Sequence, residues 1–566
     1  MKCHPADRAG EYRSNRWWST ETIDGLARAR VTDDPEGTAL IDPPNTAGLL
    51  GSDPVRWSWR DLDEHVDALA ALLLGRGVRA GDVVAVQLPN CSALVQAFLA
   101  IVRIGAIVTP FPVSYREHEM GPMCRRTGAV AVLTAGRLGE RALAEAAQRI
   151  RTEALTVRFV LSRGENEPDG GAAWPDRPAT AAEKSLVDEH VAGLDVDVND
   201  CVTICWTSGT EAEPKAVPRC HGDWLAMAGA CRQAARLGQD DVLLSPFPMT
   251  NMAGIAGMFL PWLLGGGVFV PHHPFDLPVF LEQLATQRVT YTVAPPVLLT
   301  MLLRNEKILS GVDISALRQI GSGSAPLSPW LVRTWAERHG IDLINFFGSN
   351  EGIALLSDPV DIPDPEHRAS YFPHYASDVR WSTPVAGWTS VRLHDPVTGG
   401  RVTGPGRPGE LRIAGPTVFA GYLTESTSAP LDRRAFDEDG YFRTGDVFEI
   451  AGERQEYLRY VDRAKDLVIR GGMNISPAEI EGLLAEHPDV AEVGVIGVPD
   501  EVLGERVCAI VVAGDRRPTL DELTGFLRER RVASFKLPER LEFAEALPRN
   551  PVGKILKRKL REQLEA

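Results

Sequence analysis

The 566-residue chain is poor in cysteine: it has eight, and no two form a Cys-x-x-Cys pair or a quartet with zinc-site spacing. Neither a disulfide-stapled secreted domain nor a zinc-finger-type module is favoured. The first ten residues, MKCHPADRAG, lack the apolar run of a signal peptide, and the last four, QLEA, match no peroxisomal or prenylation signal. We expect a cytoplasmic protein with reduced thiols, in which Cys201 and Cys205 are small core residues.

Positive charge is also in deficit, since 60 lysines and arginines face 76 aspartates and glutamates, for a net charge of −16. Nucleic-acid-binding domains usually show the opposite balance. One basic cluster stands near the C-terminus and comprises Lys554, Lys557, Arg558, Lys559 and Arg561. Because such a helical face is more often simply exposed to water, we expect no nucleic-acid partner.

Long uncharged runs are nearly absent, and only residues 252–270 approach the ~20 apolar positions that a membrane-spanning helix needs. Four glycines and a proline interrupt the run between Gly257 and Gly267, and Gly254 lies near its start. This punctuation favours a short buried helix, a glycine turn and a strand at 268–270. We therefore expect no membrane span.

Helix and strand patterns alternate from about residue 61, as in DLDEHVDALAALLLGRGV followed by VVAVQL. Such alternation predicts an α/β fold with a largely parallel sheet. Residues 164–190, rich in Gly, Pro, Ala and acidic residues, are interpreted as a surface loop, and glycine-separated strands at 395–450 predict a small β subdomain. The pattern predicts a large N-terminal α/β domain with that β subdomain (1–462) and a small C-terminal α+β domain (463–566).

Five motifs carry the chemistry. The first, CWTSGTEAEPKAV at 205–217, follows an apolar strand and offers backbone N–H groups, hydroxyls and Lys215, a composition that can wrap phosphate oxygens. It is not a Walker A loop, because GxxxxGK[ST] is absent. Taken alone, such a loop is more often a solvated turn.

The second and third motifs are NFFGSNEG at 345–352 and YFRTGDV at 441–447. In the second, an aromatic ring can stack on a base and Glu351 can hold Mg²⁺ beside phosphates. In the third, Asp446 can accept two hydroxyl groups, as from a ribose. Each has a plainer alternative, a surface glutamate and a turn-capping aspartate respectively.

The fourth and fifth motifs lie near the C-terminus. In YVDRAKDLVIRGGMNISPAEIE, residues 460–481, a strand leads to Gly471-Gly472 and then to a helix that begins at Ser476-Pro477. Paired glycines allow a ligand to approach the backbone or merely form a tight hairpin. In LPRNPVGKILKRKLR, residues 547–561, Lys554 ends a Pro- and Gly-rich loop, and a lone lysine there is normally solvated.

In this order and spacing, the five motifs resemble the adenylate-forming superfamily of acyl- and aryl-CoA synthetases, carrier-protein adenylation domains and firefly luciferase. The resemblance runs from about residue 20 to the end and is nearest to cyclohexanecarboxylate- and medium-chain-type CoA ligases. It implies that a carboxylic acid attacks the α-phosphate of ATP, with Mg²⁺, to form an acyl-adenylate. A thiol, commonly that of CoA or of a carrier protein, then displaces AMP while the mobile small domain rotates between the steps.

The resemblance also implies a role for each nucleotide-facing position. Phosphate contacts fall in the 207–215 loop, at Thr207, Ser208, Gly209, Thr210 and Lys215, with Thr210 also in a catalytic role. Phe347 matches the residue that stacks on adenine, beside Gly348 and Asn350. Ser324, Ala325 and Pro326 match the segment that lines adenine and the acyl pocket, to which Gly323 also belongs.

The remaining roles concern the reacting groups and the small domain. Glu351 matches the Mg²⁺-linked acid, and Lys554 matches the lysine that bridges the carboxylate and the α-phosphate. Asp446 matches the acceptor of the ribose hydroxyls, and Arg463 a second ribose contact. Lys465 falls at the hinge, while Gly471 and Gly472 border the pantetheine tunnel.

The chain departs from the family pattern at four places. The phosphate loop continues Glu211-Ala212-Glu213 where Thr-Thr-Gly is usual, and Asn350 replaces a threonine near the α-phosphate. Asn251 stands where many members place a histidine at the mouth of the acyl pocket, and aryl-activating members often carry Asn near there. Residues 357–383 match no family feature.

Four functions stay open on this basis. The first is a stand-alone CoA ligase for a small or medium apolar acid, since the uncharged segment around 251–257 suits an apolar pocket. The second loads a separate carrier protein. The third uses the adenylate for amide or N–N bond formation, and the fourth is a degenerate nucleotide binder, which the presence of Lys554, Glu351, Asp446 and Arg463 disfavours.

Overall fold

The structure, a computed structural model, describes residues 1–164, 174–207, 214–352, 354–396, 398–471, 473–500, 502–549 and 554–565. Among these residues, no helix is long and apolar enough to span a bilayer. All eight cysteines are buried and unpaired, Cys201 and Cys205 among them as expected.

Helices and strands alternate through the first half of the chain. Up to residue 164 they are α1 (Ala6–Ser14), α2 (Ile23–Asp33), β1 (Thr38–Ile41), α3 (Thr46–Leu50), β2 (Arg56–Ser58), α4 (Trp59–Gly75), β3 (Val83–Gln87), α5 (Ser92–Arg103), β4 (Ile107–Pro110), α6 (Glu117–Thr127), β5 (Ala131–Ala135), α7 (Leu143–Glu153) and β6 (Phe159–Arg163). Up to residue 348 there follow α8 (Ala181–Ala192), β7 (Cys201–Trp206), β8 (Ala216–Cys220), α9 (His221–Ala234), β9 (Val242–Ser245), α10 (Met252–Gly254), a π-helix (Ile255–Phe259), α11 (Leu260–Gly265), β10 (Val268–Pro271), α12 (Leu277–Thr286), β11 (Tyr291–Val293), α13 (Pro296–Arg304), α14 (Glu306–Leu309), β12 (Gln319–Gly323), α15 (Pro329–His339) and β13 (Asp342–Gly348).

The second half is richer in strands. It contains β14 (Ala354–Ser357), α16 (Pro365–Ser370), β15 (Tyr371–Pro373), α17 (Val385–Trp388), β16 (Ser390–His394), β17 (Arg401–Val402), β18 (Gly409–Ala414), β19 (Phe442–Ala451) and β20 (Tyr457–Arg463). The chain continues with β21 (Val468–Arg470), β22 (Met473–Ile475), α18 (Pro477–Leu484), β23 (Val490–Asp500), β24 (Gly504–Ala513), α19 (Leu520–Glu529), a 3₁₀-helix (Ser534–Lys536), β25 (Arg540–Phe543) and α20 (Lys557–Glu565).

Two mostly parallel sheets form the body of the N-terminal part. One has six strands in the order β6-β5-β3-β4-β7-β8, and the other has eight in the order β14-β13-β12-β11-β9-β10-β1-β2. Strands β3, β5 and β7 are buried along their whole length, as expected for parallel strands covered on both faces. The prediction of an α/β fold is confirmed.

The uncharged segment 252–270 is core rather than membrane span. It folds as α10, the π-helix and α11, then turns at Gly266, whose φ of +82° places it in the left-handed region, and enters β10. Trp262 is fully buried and stacks on Trp59 with ring centroids 4.8 Å apart. The predicted sequence of buried helix, glycine turn and strand is confirmed.

A third, antiparallel sheet forms the β subdomain, with the order β15-β20-β19-β18-β16-β17. It is larger than the predicted 395–450 segment, because β15 and β16 precede that range and β20 follows it. Residues 357–383, which the sequence alone did not assign, supply α16 and the edge strand β15. This segment therefore completes the subdomain.

The interpretation of residues 164–190 as a loop is wrong for its second half, where α8 begins at Ala181. The helix starts with a capping box: the Thr180 side chain accepts from the Glu183 N–H, and the Glu183 carboxylate accepts from the Thr180 N–H. The Thr-x-x-Glu pattern that encodes this box is present in the sequence, and the bias in composition obscured it.

The C-terminal part is an α+β unit built on a five-stranded sheet, in which β22-β21-β24-β23 are consecutive and β25 pairs with β24. Helix α18 begins as predicted, with Ser476 as its N-cap and Pro477 at its first position. The basic C-terminal cluster is partly paired: Lys557 contacts Glu481 at 3.0 Å and Arg561 contacts Asp466 at 3.8 Å. These ion pairs fasten α20 to the unit instead of leaving a wholly solvated face.

Candidate active site

The phosphate-loop motif connects β7 to β8, and the two ends of the loop are held together. The Thr207 N–H donates to the Lys215 carbonyl at 3.0 Å, and the Lys215 N–H donates to Thr207 Oγ1 at 3.3 Å. The predicted contacts Ser208, Gly209 and Thr210 lie outside the described residues. The hairpin therefore fixes where the loop leaves and re-enters the sheet.

Glu351 lies just beyond the end of β13, in a turn whose backbone conformation is closely constrained. Its carbonyl accepts from the Phe419 N–H at 2.9 Å. The next residue, Gly352, has φ = +100°, and an added Cβ there would lie 1.8 Å from the Thr417 carbonyl oxygen. Only glycine fits such a position, so the backbone that carries Glu351 is tightly defined.

Arg219, fully buried on β8, braces the same turn from the other side. It donates to the Asn350 carbonyl at 2.8 Å and to the Thr417 carbonyl at 2.7 Å. The phosphate-loop hairpin and the Glu351 turn are thus joined by one guanidinium group, whose planar fork is suited to two fixed acceptors.

Tyr422 is a site residue that the sequence did not suggest. Its hydroxyl donates to Glu351 Oε1 at 2.9 Å, and the Lys215 ammonium lies 5.2 Å from the centre of its ring. Tyr422 and Lys215 line a cavity of about 670 Å³ that Arg126 and Arg434 also border. The ring therefore lies between the predicted phosphate lysine and the predicted Mg²⁺ carboxylate, beside a cavity that Glu425 and Asp432 also line.

The side-chain amide of Asn350 forms two hydrogen bonds with backbone groups. Its Oδ1 accepts from the Met252 N–H at 2.9 Å, and its Nδ2 donates to the Trp206 carbonyl at 3.2 Å. It therefore joins the end of β7 and the start of α10 to the Glu351 turn. The predicted contact of Asn350 near the α-phosphate remains a prediction.

Asn251 is the N-cap of α10, where its Oδ1 accepts from the Gly254 N–H at 3.3 Å. The residue is half-buried and directly precedes the Met252 N–H that Asn350 binds. Its capping role is structural, and its predicted contact with the acid remains a prediction.

Asp446 and Arg463 face each other on β19 and β20, and their side chains form an ion pair at 3.2 Å. Asp446 is 3% exposed. Burial raises the pKa of its carboxyl group, and the charges of Arg463 and Lys554 oppose that rise. The two predicted ribose contacts are therefore neighbours in one polar site.

Lys554 reaches this site from the C-terminal part of the chain. Burial and the charge of Arg463 lower the pKa of its ammonium group to about 8, against the attraction of Asp446 and Asp466. Glu351 also acts on Asp446 electrostatically. Motifs from residues 351, 446, 463 and 554 are thus brought to one place, with the lysine partly withdrawn from water.

Phe347 belongs to an aromatic cluster next to the Asp446 strand. Its ring centroid lies 5.0 Å from that of Phe448, 5.3 Å from that of Tyr460 and 5.9 Å from that of Phe372. The ring is half-buried, and Gly348 beside it is exposed. Three packed neighbours hold the orientation of the ring that the resemblance assigns to adenine stacking.

The 323–326 segment leaves β12 at the edge where β13 also ends. Ser324 has φ = +69°, and Ser324, Ala325 and Pro326 are all exposed. At Gly323 an added Cβ would lie 2.4 Å from the Phe346 carbonyl oxygen, so close packing of β12 on β13 accounts for that glycine. Carboxyl ends of parallel strands are where α/β sheets bind ligands, which agrees with the predicted position.

The predicted hinge and tunnel residues follow β20 in the chain. Lys465 is exposed in the turn after β20. Gly471 is exposed, has φ = +57°, and donates its N–H to the Leu503 carbonyl at 2.7 Å. Gly472 lies outside the described residues.

Comparison with known families gives two matches to this chain. The family described as AMP-binding enzyme matches residues 27–423, and the AMP-binding enzyme C-terminal domain matches residues 479–554. Together they cover the phosphate-loop hairpin, the Glu351 turn, Tyr422 and Lys554.

Individual proteins are similar over nearly the whole length. A 2-hydroxy-7-methoxy-5-methyl-1-naphthoate–CoA ligase of Streptomyces carzinostaticus is 30% identical, over 98% of this chain and 96% of the relative. A 2,3-dihydroxybenzoate–AMP ligase of Bacillus subtilis is 28% identical, over 99% and 97% respectively. The crystal structure of ATP-bound MatB from Rhodopseudomonas palustris superposes with a TM-score of 0.75 at 25% identity, over 96% of this chain and 99% of that one.

Proposed function

The chain belongs to the AMP-binding enzyme family and is thus an adenylate-forming enzyme, and on this premise we propose that it joins an aromatic carboxylic acid to CoA. The acid is first activated with ATP as an acyl-adenylate. The thiol of CoA then takes the acyl group and releases AMP. The gathering of Lys554, Asp446, Arg463 and Glu351 at one site is the observation that supports this assignment most strongly.

The first half-reaction brings together two anions, a carboxylate and a phosphate, and their like charges oppose attack. In the proposal, the carboxylate oxygen bonds to the α-phosphorus while the bond to pyrophosphate breaks. Lys554, held in a site of restricted water, supplies positive charge where negative charge develops. Removal of one such preorganised donor typically costs about 10²–10³ in rate.

Around this centre, other side chains orient the nucleotide. Asp446 and Arg463 would hold the ribose, and Phe347 the adenine. Lys215 and the backbone of the 207–215 loop would hold the terminal phosphates, on the side where Arg126 and Arg434 border the cavity. Glu351, a carboxylate oriented by Tyr422, offers the oxygen ligand that Mg²⁺ prefers, and the ion would neutralise phosphate charge when bound.

The aromatic acid is proposed from the two relatives named above, whose names state a naphthoate and a dihydroxybenzoate. Asn251, at the start of α10, is the candidate reader of a ring substituent. The second half-reaction would need the small domain to move, with 463–566 as the moving part and Lys465 as its hinge.

A separate carrier protein is the second candidate acceptor, because a relative that is 29% identical over 99% of this chain is named a salicyl-AMP ligase / salicyl-S-ArCP synthetase. The acceptor is therefore the point that an assay must decide.

The test is acid-dependent ATP–pyrophosphate exchange over benzoate, salicylate, 2,3-dihydroxybenzoate, a hydroxynaphthoate, cyclohexanecarboxylate and octanoate, followed by product analysis with CoA. The proposal expects exchange with at least one aromatic acid and formation of its CoA thioester. Exchange without formation of a CoA thioester would indicate that a carrier protein or an amine is the acyl acceptor. Exchange with only cyclohexanecarboxylate or octanoate, or with none of the six acids, would overturn the aromatic-acid assignment.

A further inference from the structure

A second cluster of reactive side chains lies at the end of the β7–β8 hairpin that is opposite to the 207–215 loop. It comprises Cys3 and His4 near the N-terminus, Cys201 and Cys220 on the hairpin, and Asp223 on α9. All five are at most 5% exposed. None of them has a part in the nucleotide site described above.

Three of the five groups are close enough to share one metal ion. His4 Nε2 and Asp223 Oδ1 are 2.9 Å apart, and the ligand atoms of His4, Cys220 and Asp223 all lie within 4.8 Å of one another. The neighbouring thiols of Cys201 and Cys220, together with burial, raise the pKa of the Cys3 thiol well above its ordinary value. His4 Nδ1 and Asp223 Oδ2 are buried and have no hydrogen-bond partner among the residues that the structure describes.

The N-terminal segment is fixed in this position by its backbone. The Cys3 N–H donates to the Asn199 carbonyl at 3.0 Å, and the His4 N–H donates to Asn199 Oδ1 at 2.8 Å. Asn199 Nδ2 donates in return to the His4 carbonyl at 2.9 Å. The placement of Cys3 and His4 is therefore independent of anything that the five side chains bind.

We propose that His4, Cys220 and Asp223, with Cys3 as the fourth ligand, bind one Zn²⁺ ion that fastens the N-terminal segment to the base of the phosphate-loop hairpin. Imidazole, thiolate and carboxylate are the ligands that Zn²⁺ takes in proteins, and four ligands suit its tetrahedral structural sites. Buried charges of this kind are stable when they are paired or coordinate a metal.

The charges also balance. On binding, Cys3 and Cys220 each lose a proton, so that two thiolates and the Asp223 carboxylate carry three negative charges. Zn²⁺ supplies two positive charges, and Arg219, fully buried 3.5 Å from Asp223 Oδ2, supplies the third. The His4 imidazole must also be neutral to bind, and release of these protons makes the affinity depend on pH, as for other thiolate sites.

The sequence conceals this site because its members are separated in the chain. Positions 3 and 4 lie more than 200 residues before positions 220 and 223. The local spacing therefore matches no zinc motif, and only the packing of the N-terminus against the hairpin brings the ligands together.

The experiment uses the reduced full-length enzyme, purified without a metal-affinity tag, and measures bound Zn²⁺ after incubation with equimolar Zn²⁺ and gel filtration. We expect one ion per chain in the wild type and in Cys231→Ser, a matched variant that removes a buried α9 thiol outside the cluster. We expect loss of the ion in Cys220→Ser and His4→Ala, and a roughly 10–100-fold or greater loss of affinity in Asp223→Asn. Substitution of Co²⁺ should give a thiolate charge-transfer band that Cys220→Ser lacks.

Cys3→Ser and His4→Ala alter only the N-terminal segment, so they keep the test valid if Cys220→Ser does not fold. Wild-type protein that retains no Zn²⁺ would overturn the proposal and leave a hydrogen-bonded cluster. Retention of the ion by Cys3→Ser, His4→Ala and Cys220→Ser alike, or its loss from Cys231→Ser, would also overturn it.

Discussion

The hydroxyl group of Tyr422 donates a hydrogen bond of 2.9 Å to Oε1 of Glu351, 71 positions earlier in the chain. The ring of the same tyrosine lies under the ammonium group of Lys215. Tyr422 therefore lies between the carboxylate predicted to bind Mg²⁺ and the lysine predicted to bind the terminal phosphates.

Replacement of Tyr422 by phenylalanine removes this hydrogen bond and keeps the ring. We expect the KM for ATP and the Mg²⁺ concentration needed for half-maximal rate to rise roughly 10-fold, because a hydrogen bond to a charged group is worth about 1.5–3 kcal/mol. The KM for the acid should change little. Tyr441→Phe, which removes a hydroxyl hydrogen-bonded to Ser390, is the matched control. Identical ATP and Mg²⁺ dependence in both variants would remove Tyr422 from the site.

The lowered pKa of Lys554 predicts a pH limit on adenylation. Because that pKa is about 8, the ammonium form that stabilises negative charge is lost as the pH rises through this value. An ordinary lysine would keep its proton through the same range. We expect kcat/KM for ATP in pyrophosphate exchange to fall above about pH 8, since this parameter reports groups of the free enzyme.

The control for this fall in kcat/KM is Lys554→Arg, which keeps a positive charge at every pH of the assay. Its residual activity should show no fall near pH 8. If the fall in kcat/KM persists unchanged in Lys554→Arg, a group other than Lys554 is responsible for it.

Removal of the Asp446 carboxylate should weaken the binding of ATP more than the binding of the acid. Two ribose hydroxyls would lose a charged acceptor in Asp446→Ala, and at about 1.5–3 kcal/mol the KM for ATP should rise roughly 10- to 150-fold. Asp439→Ala, an aspartate of the same subdomain that pairs with Arg392 at the surface, is the control. Equal changes in the two Michaelis constants would contradict the ribose assignment.

Substitution of Asn251 tests whether this residue lines the pocket that binds the acid. If its amide reads a ring hydroxyl or amine, Asn251→Leu should lower kcat/KM for a hydroxylated aromatic acid by about one to two orders of magnitude relative to the plain acid, since an unsatisfied buried partner costs about 1–3 kcal/mol. The ATP dependence should stay nearly unchanged.

Loss of the α10 cap in Asn251→Leu needs its own control, and Asn251→Ser supplies it, because serine also accepts a capping hydrogen bond. We expect Asn251→Ser to keep the helix cap and still lose the discrimination between the two acids. If Asn251→Ser behaves as the wild type and Asn251→Leu slows both acids alike, the residue is a cap and does not read the substrate.

Local patterns predicted much of the fold. The helical period before Gly75, the β-branched run at 83–87 and the Ser476-Pro477 helix start all correspond to observed elements, because each is encoded within a few residues. The capping box at Thr180 is encoded equally locally, and a Gly- and Pro-rich composition nearby concealed it.

The site was predictable only as far as motif order and family resemblance extend. These indicated that Glu351, Asp446, Arg463 and Lys554 would meet, and the structure places them together. Tyr422, Arg219 and the two hydrogen bonds of Asn350 could not be predicted, because each depends on contacts between segments far apart in the chain.

Acid-dependent pyrophosphate exchange in Lys554→Ala tests the assignment of the adenylation centre most directly. We expect exchange to fall by about 10²–10³ or more, while CoA thioester formation from supplied acyl-adenylate stays near the wild-type rate. Lys559→Ala, an exposed lysine on the following helix α20, should leave both half-reactions intact. Equal loss of the two half-reactions in Lys554→Ala, or exchange at the wild-type rate, would contradict the placement of Lys554 at the reacting carboxylate.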